Sequence, residues 1–318
     1  MVAPLGFIAV LFLAIIAIAY SQSQEFLYDD IDYGNHHLNW EDGTTSWDEF
    51  GHDNSPDMCN LPILTVEEWE AGKYWERDQP AIVRNVTKGW AALHSWKLQE
   101  IVKRYPDIKG VLIDGRPRSH PLKYLEVTLA EFISKYMYNP FEMFFLSGFG
   151  IFGGNFPSSI LEDNFHPLPM PLNGEVDHNK VAVFVGADLQ GGSFHHHEGS
   201  AFNTVISGKK RWILYSSKRE REEPTRRQRI ADVNQYAAAT DGVIANSSEW
   251  MRQLYPDPYR NSEIRRYGYD CIQHAGDMMF VPKEWLHMVV NIGDTVGLVV
   301  SYGRSYFASN SADLVEEE

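Results

Sequence analysis

A run of three histidines, His195 to His197, followed directly by Glu198, gives this sequence its clearest potential for chemistry. In a β-strand, alternate side chains lie on the same face. His196 and Glu198 would therefore lie on one face, and His195 and His197 on the other. One further histidine, His287, stands far downstream at the head of an apolar segment. This pattern indicates a metal site that joins two strands.

Two sets of ligands are compatible with the alternation. His196, Glu198 and His287 would supply two imidazoles and one carboxylate. This is the facial triad typical of non-haem Fe(II) oxygenases, and it leaves open positions for a co-substrate and O2. His195 and His197 with His287 would supply three imidazoles instead. We predict the first set, because an iron oxygenase requires mixed nitrogen and oxygen ligands. The alternatives are the three-imidazole site, an exposed metal-scavenging histidine patch, and histidines that only satisfy backbone carbonyls.

Local patterns in the N-terminal half predict helices around one strand. Thr65–Glu68 and Thr128–Glu131 both have the capping-box pattern, a threonine followed three residues later by glutamate. They predict helices that run to about residues 77 and 138. Apolar spacing predicts another helix over Trp90–Tyr105, and Gln79–Arg84 is typical of a strand.

From Glu142 onward the sequence changes to β-rich runs broken by glycines. These runs are Met143–Leu146, Lys180–Val185, Ala201–Tyr215, Asp277–Pro282 and Leu286–Tyr302. Helices followed by many strands predict an α+β protein with a sheet sandwich or barrel in its C-terminal half. The mixed-charge stretch Lys218–Arg229 is interpreted as a solvated insertion between strands.

Composition excludes several classes of protein. The chain has 318 residues, of which 44% are hydrophobic and 13% aromatic, too apolar for a disordered chain. A net charge of −15 argues against nucleic acid as a partner, because nucleic-acid binding requires a basic surface. Two cysteines are too few for a disulfide-dense scaffold or a four-cysteine zinc site.

The N-terminus has the character of a secretory signal. An uncharged apolar run, Leu5–Ala19, is followed by small polar residues, and we predict a signal peptide over residues 1–23. The alternative, an uncleaved anchor helix, would need about 20 apolar residues. After cleavage we expect no membrane span. The mature protein would then start with an acidic leader over residues 24–58 and act in the endoplasmic reticulum lumen or elsewhere in the secretory pathway, secretion included.

A luminal route makes two kinds of modification plausible. Asn85 and Asn246 each begin an Asn-x-Ser/Thr sequon, and we expect glycans on both, with better access at Asn246. We also predict a disulfide between Cys59 and Cys271, because disulfides persist in oxidising compartments. The alternative is a pair of buried thiols.

Two long segments resemble one known family. Asn203–Tyr215 matches a signature of a strand followed by Gly-x-Lys-x-Trp-x-Leu-Tyr. Gly276–Asn291 matches a Gly-Asp-x-x-Phe-x-Pro-x-x-Trp-x-His-x-x-x-Asn signature. On these motifs the chain resembles the JmjC branch of the cupin superfamily, over about residues 59–307. Its apolar leader and the placing of its two cysteines resemble luminal members of that family.

The resemblance implies a fold and a cofactor set. The domain over residues 59–308 would be a double-stranded β-helix, or jelly roll, followed by an acidic tail over 309–318. His196, Glu198 and His287 would bind Fe(II), and the offset of the first two from Gly208 supports this register within the family. Lys210 would pair with the distal carboxylate of 2-oxoglutarate. The side chains of Ser193 and Asn203 are further candidates for contacts to that co-substrate.

The resemblance also implies an activity. The chain would be an Fe(II)- and 2-oxoglutarate-dependent dioxygenase that hydroxylates a protein side chain, with succinate and CO2 as co-products. A buried lysine is costly unless it is paired, and a dicarboxylate would pair Lys210. Alternatively, Lys210 is a solvated lysine beside Lys209 and Arg211. The rival function is a catalytically silent cupin that acts by binding partner proteins.

Overall fold

The β-rich runs of the sequence form one extended sheet. The computed structural model describes residues 59–114, 125–138, 143–148, 158–169, 171, 180–192, 194–197, 199–216 and 268–302. The strands of these residues, in chain order, are β1 Ile63–Leu64, β2 Ala81–Val83, β3 Lys109–Asp114, β4 Leu125–Thr128, β5 Met143–Gly148, β6 Val181–Gly186, β7 Ser200–Tyr215, β8 Tyr269–His274, β9 Met278–Val281 and β10 Leu286–Tyr302. The predicted signal peptide, leader, insertion and acidic tail lie outside the described residues.

Helical elements are short and precede most of the sheet. They are α1 Val66–Ala71, a 3-10 turn Tyr74–Glu76, α2 Ala92–Ser95, α3 Leu98–Arg104, α4 Leu129–Glu131 with a π-helical continuation Phe132–Tyr136, and α5 Ser158–Asn164. Both predicted capping boxes are confirmed, since Thr65 and Thr128 each cap the helix that follows them. The first predicted helix is interrupted at Lys73, whose backbone adopts a left-handed conformation with φ 44°.

The sheet has the two-layer arrangement of a jelly roll. Its strand order is β1-β2-β9-β7-β10-β6-β5-β3-β4, with β8 paired to β7 beside this path. The first part of β7 pairs with β9, and the last part of β10 pairs with β6. The second part of β7 pairs with β8 instead. The two longest strands, β7 and β10, thus run from one layer into the other, and the predicted α+β fold with a cupin-like barrel is confirmed.

A backbone irregularity in the middle of β7 and β10 determines which residues share a face. The pairing of these strands shifts register between Ile292 and Val296, next to Gly208, whose φ is 79°. Asn203 and Lys210 are seven residues apart, so regular alternation would place them on opposite faces. Because of the shift they lie on the same face, and the Lys210 Nζ donates to the Asn203 Oδ1 at 3.1 Å.

Aromatic side chains attach the N-terminal helices to the sheet. Trp69 of α1 is fully buried, and its ring lies 6.1 Å from that of Phe202 and 5.2 Å from that of Phe280. These two rings belong to β7 and β9, where Phe202 and Phe280 are paired. Among the described residues, no helix combines the length and the apolar character that crossing a bilayer requires.

The predicted disulfide is confirmed. Cys59 and Cys271 are bonded, with their Cα atoms 4.0 Å apart. The adjacent Asn60 donates from its side chain to the carbonyl of Gly268, and its Oδ1 accepts from the backbone N–H of Asp270 at 2.8 Å. The start of the domain therefore forms an additional edge along β8, 212 residues away in sequence.

Candidate metal centre

The histidine-bearing segment lies alongside the beginning of β10. The backbone N–H of His195 donates to the carbonyl of His287 at 3.0 Å, and that of His287 donates back at 2.8 Å. Further along the segment, the N–H of Val289 donates to the carbonyl of Gly192 at 3.0 Å. Gly191 permits this close approach, because a Cβ atom there would lie 1.9 Å from the carbonyl oxygen of Val289.

This pairing brings three histidines together. Residues opposite each other in antiparallel strands have side chains on the same face, so His195 faces the same side as His287. His197 lies two residues further along, on the same face as His195. The ring centroids are 4.2 Å apart for His195 and His287, 4.8 Å for His195 and His197, and 5.3 Å for His197 and His287. One ring nitrogen from each lies within 4.8 Å of the others.

Among the described residues, the structure brings together a different set of histidines from the predicted one. His196 was expected to be a ligand beside His287, but it is exposed and does not belong to the cluster. The physical reason is the pairing of His195 with His287, which places the side chain of the next residue on the opposite face. Glu198, the predicted carboxylate ligand, lies outside the described residues. The three-imidazole alternative is the arrangement that the structure shows.

His287 is prepared to act as a neutral ligand. Its Nδ1–H donates to the carbonyl of Trp285 at 2.8 Å, which fixes the ring and presents Nε2 as the nitrogen available to a metal ion. The side chain is buried. Burial, and then the neighbouring His195 and His197, hold the pKa of His287 well below its usual value. A neutral imidazole is the form that binds metal.

The donor set fits a divalent transition metal. Three imidazole nitrogens suit zinc, copper, iron or nickel, and three protein ligands leave positions for other groups. Among the described residues, no carboxylate joins the three histidines in this cluster. Iron is thus compatible with the site, although the histidine and carboxylate triad that typifies Fe(II) oxygenases is not what the described residues form.

Lys210 and Asn203 form the second part of the site. Lys210 is buried, and its Nζ contacts the Oδ1 of Asn203 and lies 3.0 Å from the centroid of the Phe184 ring. Burial holds the pKa of Lys210 well below its usual 10.5. In the part of the chain that the structure describes, no carboxylate lies in contact with this ammonium group.

The alternative prediction, that Lys210 is solvated, is wrong because the side chain is buried. Its neighbour Lys209 is exposed instead. Ser193, the other candidate contact, lies outside the described residues.

The two parts of the site share one face of the sheet. His287 is opposite Leu214 on β7, and Asn291 is opposite Lys210, within one continuous register. Between them lies Trp212, whose ring centroid is 5.9 Å from that of His287 and 5.7 Å from the Lys210 Nζ. The lysine and the histidine cluster therefore face the same interior space, separated by one indole ring.

Sequence reasoning did not identify the residues that hold this arrangement. Phe184 contacts Lys210 from β6, and Gln273 on β8 accepts from the indole N–H of Trp212 at 2.8 Å. Gln273 lies four residues before Asp277, just outside the motif Gly276–Asn291. No local sequence pattern indicates that Gln273 has a role in the site. Its importance depends on strand pairing between distant segments.

One family model matches the part of the chain that carries this site. Residues 193–301 match the family described as "JmjC domain, hydroxylase". The chain contains a JmjC domain. The matched range of the JmjC domain includes the three clustered histidines as well as Asn203 and Lys210, so the histidine cluster and the buried lysine both belong to it.

Several curated proteins are similar to the chain. "Arginine-specific demethylase JMJ22" of Arabidopsis thaliana is 24% identical over 261 residues, which are 75% of this chain and 44% of that protein. "Bifunctional arginine demethylase and lysyl-hydroxylase psr-1" of Caenorhabditis elegans is 24% identical over 75% of this chain and 59% of that protein. "JmjC domain-containing protein 8" of Mus musculus is 25% identical over 136 residues, 43% of this chain and 41% of that protein. The chain thus spans less than two thirds of each of these relatives.

Proposed function

We propose that this protein is a metal- and 2-oxoglutarate-dependent oxygenase that hydroxylates a protein side chain in the secretory pathway. The observation that carries the proposal is the shared face of the histidine cluster and Lys210. Three imidazoles can hold a divalent ion, and a buried ammonium group without a carboxylate partner among the described residues suits one end of a dicarboxylate.

Each residue has a defined task in this proposal. His195, His197 and His287 bind the ion, and Trp285 orients His287 through its carbonyl. Lys210 and Asn203 bind the distal carboxylate of the co-substrate. When bound, Fe(II) and 2-oxoglutarate supply the oxidising chemistry, in which O2 yields succinate, CO2 and a hydroxylated substrate. The indole of Trp212 and the ring of Phe184 exclude water from the space between the two parts.

Charge also favours an anionic co-substrate. Three neutral imidazoles leave the charge of a divalent ion uncompensated, and Lys210 adds a further cation once a carboxylate pairs with it. A dicarboxylate neutralises both in an interior of low dielectric constant, where such interactions are strong. The names of the relatives, which include an arginine demethylase and a lysyl-hydroxylase, support a protein side chain as the substrate.

A second candidate function is a catalytically silent JmjC protein that binds partners. The composition of the cluster favours it, because the described ligands are three imidazoles and include no carboxylate. Such a protein would have the JmjC fold, with or without a bound metal ion, and would not consume 2-oxoglutarate.

Anaerobic calorimetric titration with Fe(II), with and without 2-oxoglutarate, separates the two functions. The oxygenase proposal predicts that 2-oxoglutarate binds to the iron-loaded protein and that O2 then releases succinate. Lys210→Met abolishes 2-oxoglutarate binding, whereas the matched control Lys209→Met, at the exposed neighbour, leaves it unchanged. Iron binding without any 2-oxoglutarate binding or succinate release would contradict the oxygenase and favour the silent protein.

A further inference from the structure

Gln273 lies at the junction between the two parts of the candidate site. Its side chain is fully buried on β8. Its Oε1 accepts from the indole N–H of Trp212 at 2.8 Å. Its Nε2 donates to the carbonyl of Asn203 at 2.6 Å and to that of Asp277 at 2.8 Å. One amide thus connects β8 with both halves of β7 and with the start of β9.

Two of the hydrogen-bond partners of this amide, Trp212 and Asn203, contact different parts of the site. Trp212 contacts the ring of His287 in the histidine cluster. Asn203 accepts a hydrogen bond from Lys210, the candidate carboxylate-binding residue. The register of β7 with β10 shifts between Lys210 and Asn203, so the position of Asn203 relative to Lys210 and Trp212 depends on how β7 is held there. Through its hydrogen bonds to Trp212 and to the carbonyl of Asn203, Gln273 bridges this irregular region of β7.

The chemistry of the amide fits this position. The indole N–H needs an acceptor, and the two backbone carbonyls can accept from the amide N–H groups, although that of Asp277 also accepts from the N–H of Val205 at 3.2 Å. An amide supplies both from one planar group. A glutamate of the same shape would direct a carboxylate oxygen at two carbonyl oxygens. An apolar side chain would remove the acceptor of the buried indole N–H, at a cost of about 1–3 kcal/mol.

From these contacts we infer that Gln273 is a positioning residue that couples metal binding to 2-oxoglutarate binding. It fixes Trp212 against His287 and fixes the backbone of Asn203 beneath Lys210, so that an ordered metal subsite also orders the carboxylate subsite. The inference rests on the proposed function, because it concerns two ligands of that same site. Gln273 touches neither ligand.

The test measures coupling with Co²⁺ and 2-oxoglutarate. The coupling ratio is the dissociation constant of 2-oxoglutarate without Co²⁺ divided by that with Co²⁺. It is determined by calorimetry and by the change in the Co²⁺ absorption spectrum. We expect the ratio to fall about tenfold in Gln273→Glu and in Trp212→Phe, a size typical of residues that orient metal ligands. Trp212→Phe removes the indole N–H and keeps an aromatic ring, and it serves where Gln273→Glu does not fold.

Asn164→Asp is the matched control. Asn164 on α5 is also buried, and its Nδ2 donates to the carbonyl of Ile160 at 2.8 Å and to the hydroxyl of Tyr105 at 3.4 Å. This substitution lowers stability in the same way but leaves the coupling ratio unchanged. A ratio equal to that of the wild type in both Gln273→Glu and Trp212→Phe overturns the inference. Wild-type protein that binds neither ligand overturns the proposed function as well, and wild-type protein that binds both without coupling overturns the inference alone.

Discussion

Lys210 places an amino group in the interior, between an amide oxygen and an aromatic ring. Burial of an ammonium group without a carboxylate is costly for folding, yet the same feature would bind a dicarboxylate. We predict that Lys210→Met raises the free energy of unfolding of the ligand-free protein by about 1–3 kcal/mol at neutral pH and abolishes 2-oxoglutarate binding. Urea unfolding and calorimetry measure the two effects.

The same substitution has a defined pH dependence. Because burial lowers the pKa of Lys210 below its usual 10.5, the unfolded chain holds more protons than the folded chain in the interval between the two pKa values. The free energy of unfolding of the wild type therefore increases as the pH rises through that interval. The difference in free energy of unfolding between Lys210→Met and the wild type should therefore decrease as the pH approaches 10.5. An advantage that grows with pH, or a less stable variant at pH 7, would contradict the account of Lys210.

For single residues, the sequence predicted which residue types form the site, but it did not determine on which face of a strand each side chain lies. Lys210 and Asn203 were predicted from a resemblance and His287 from its place at the head of an apolar strand, and the structure brings Lys210 together with Asn203. The choice between His196 and His195 depended on which residue pairs with His287. That pairing is a hydrogen-bond register between segments about 90 residues apart, and alternation alone leaves it open.

Among the elements, the histidine-bearing segment depends on one glycine for its position. A Cβ atom at Gly191 would lie 1.9 Å from the carbonyl oxygen of Val289 on β10. We predict that Gly191→Ala displaces this segment from β10 and weakens metal binding at least about tenfold, because the histidines lose their alignment. Titration with Zn²⁺ measures the effect.

Gly89→Ala is the control for this change. Gly89 has φ 101°, and no described residue beyond its chain neighbours comes within 4 Å of the place that a Cβ atom would take. Alanine there strains the backbone without a clash near the histidines. It should cost some stability and preserve the affinity for Zn²⁺. Equal affinities of Gly191→Ala and the wild type would show that the segment does not need its close contact with β10.

The disulfide acts on another element, the edge strand β8. Cys271 is fully buried and packs in a cluster with Trp212 and Trp285. We predict that reduction with a phosphine lowers the free energy of unfolding by about 2–5 kcal/mol, as the loss of a native disulfide usually does. Urea unfolding of oxidised and reduced protein measures it. A double variant, Cys59→Ala with Cys271→Ala, should show no effect of reductant, and identical midpoints for oxidised and reduced wild type would be the contrary result.

Elements with local signals were predicted, and those without them were not. The capping boxes at Thr65 and Thr128 and the long apolar strands β7 and β10 have such signals in the sequence. β3 and β4 were not predicted, because the short segments that form them acquire their strand character from pairing with each other and with β5. The layer exchange of β7 and β10 depends on a register shift that no local pattern specifies.

For the whole molecule, we propose a secretory origin, which the disulfide supports because such bonds persist in oxidising compartments. Expression in a secretory host should yield protein cleaved after about residue 20 to 24, with glycan on Asn246 and Asn85. Asn85 is exposed among the described residues, which leaves room for a glycan there. Intact-mass analysis before and after enzymatic deglycosylation measures both features, with Asn246→Gln and Asn85→Gln as controls. Retention of the apolar segment without any glycan would contradict the secretory origin.

In the proposed site, His195, His197 and His287 together hold one divalent metal ion. Anaerobic titration with Fe(II) of the wild type, His197→Ala, His196→Ala and Glu198→Ala tests it most directly. We expect one ion per chain, a loss of affinity of about 100-fold or more in His197→Ala, and affinities close to the wild type in the other two variants. Loss of Fe(II) binding in His196→Ala and Glu198→Ala, with binding retained in His197→Ala, would contradict it.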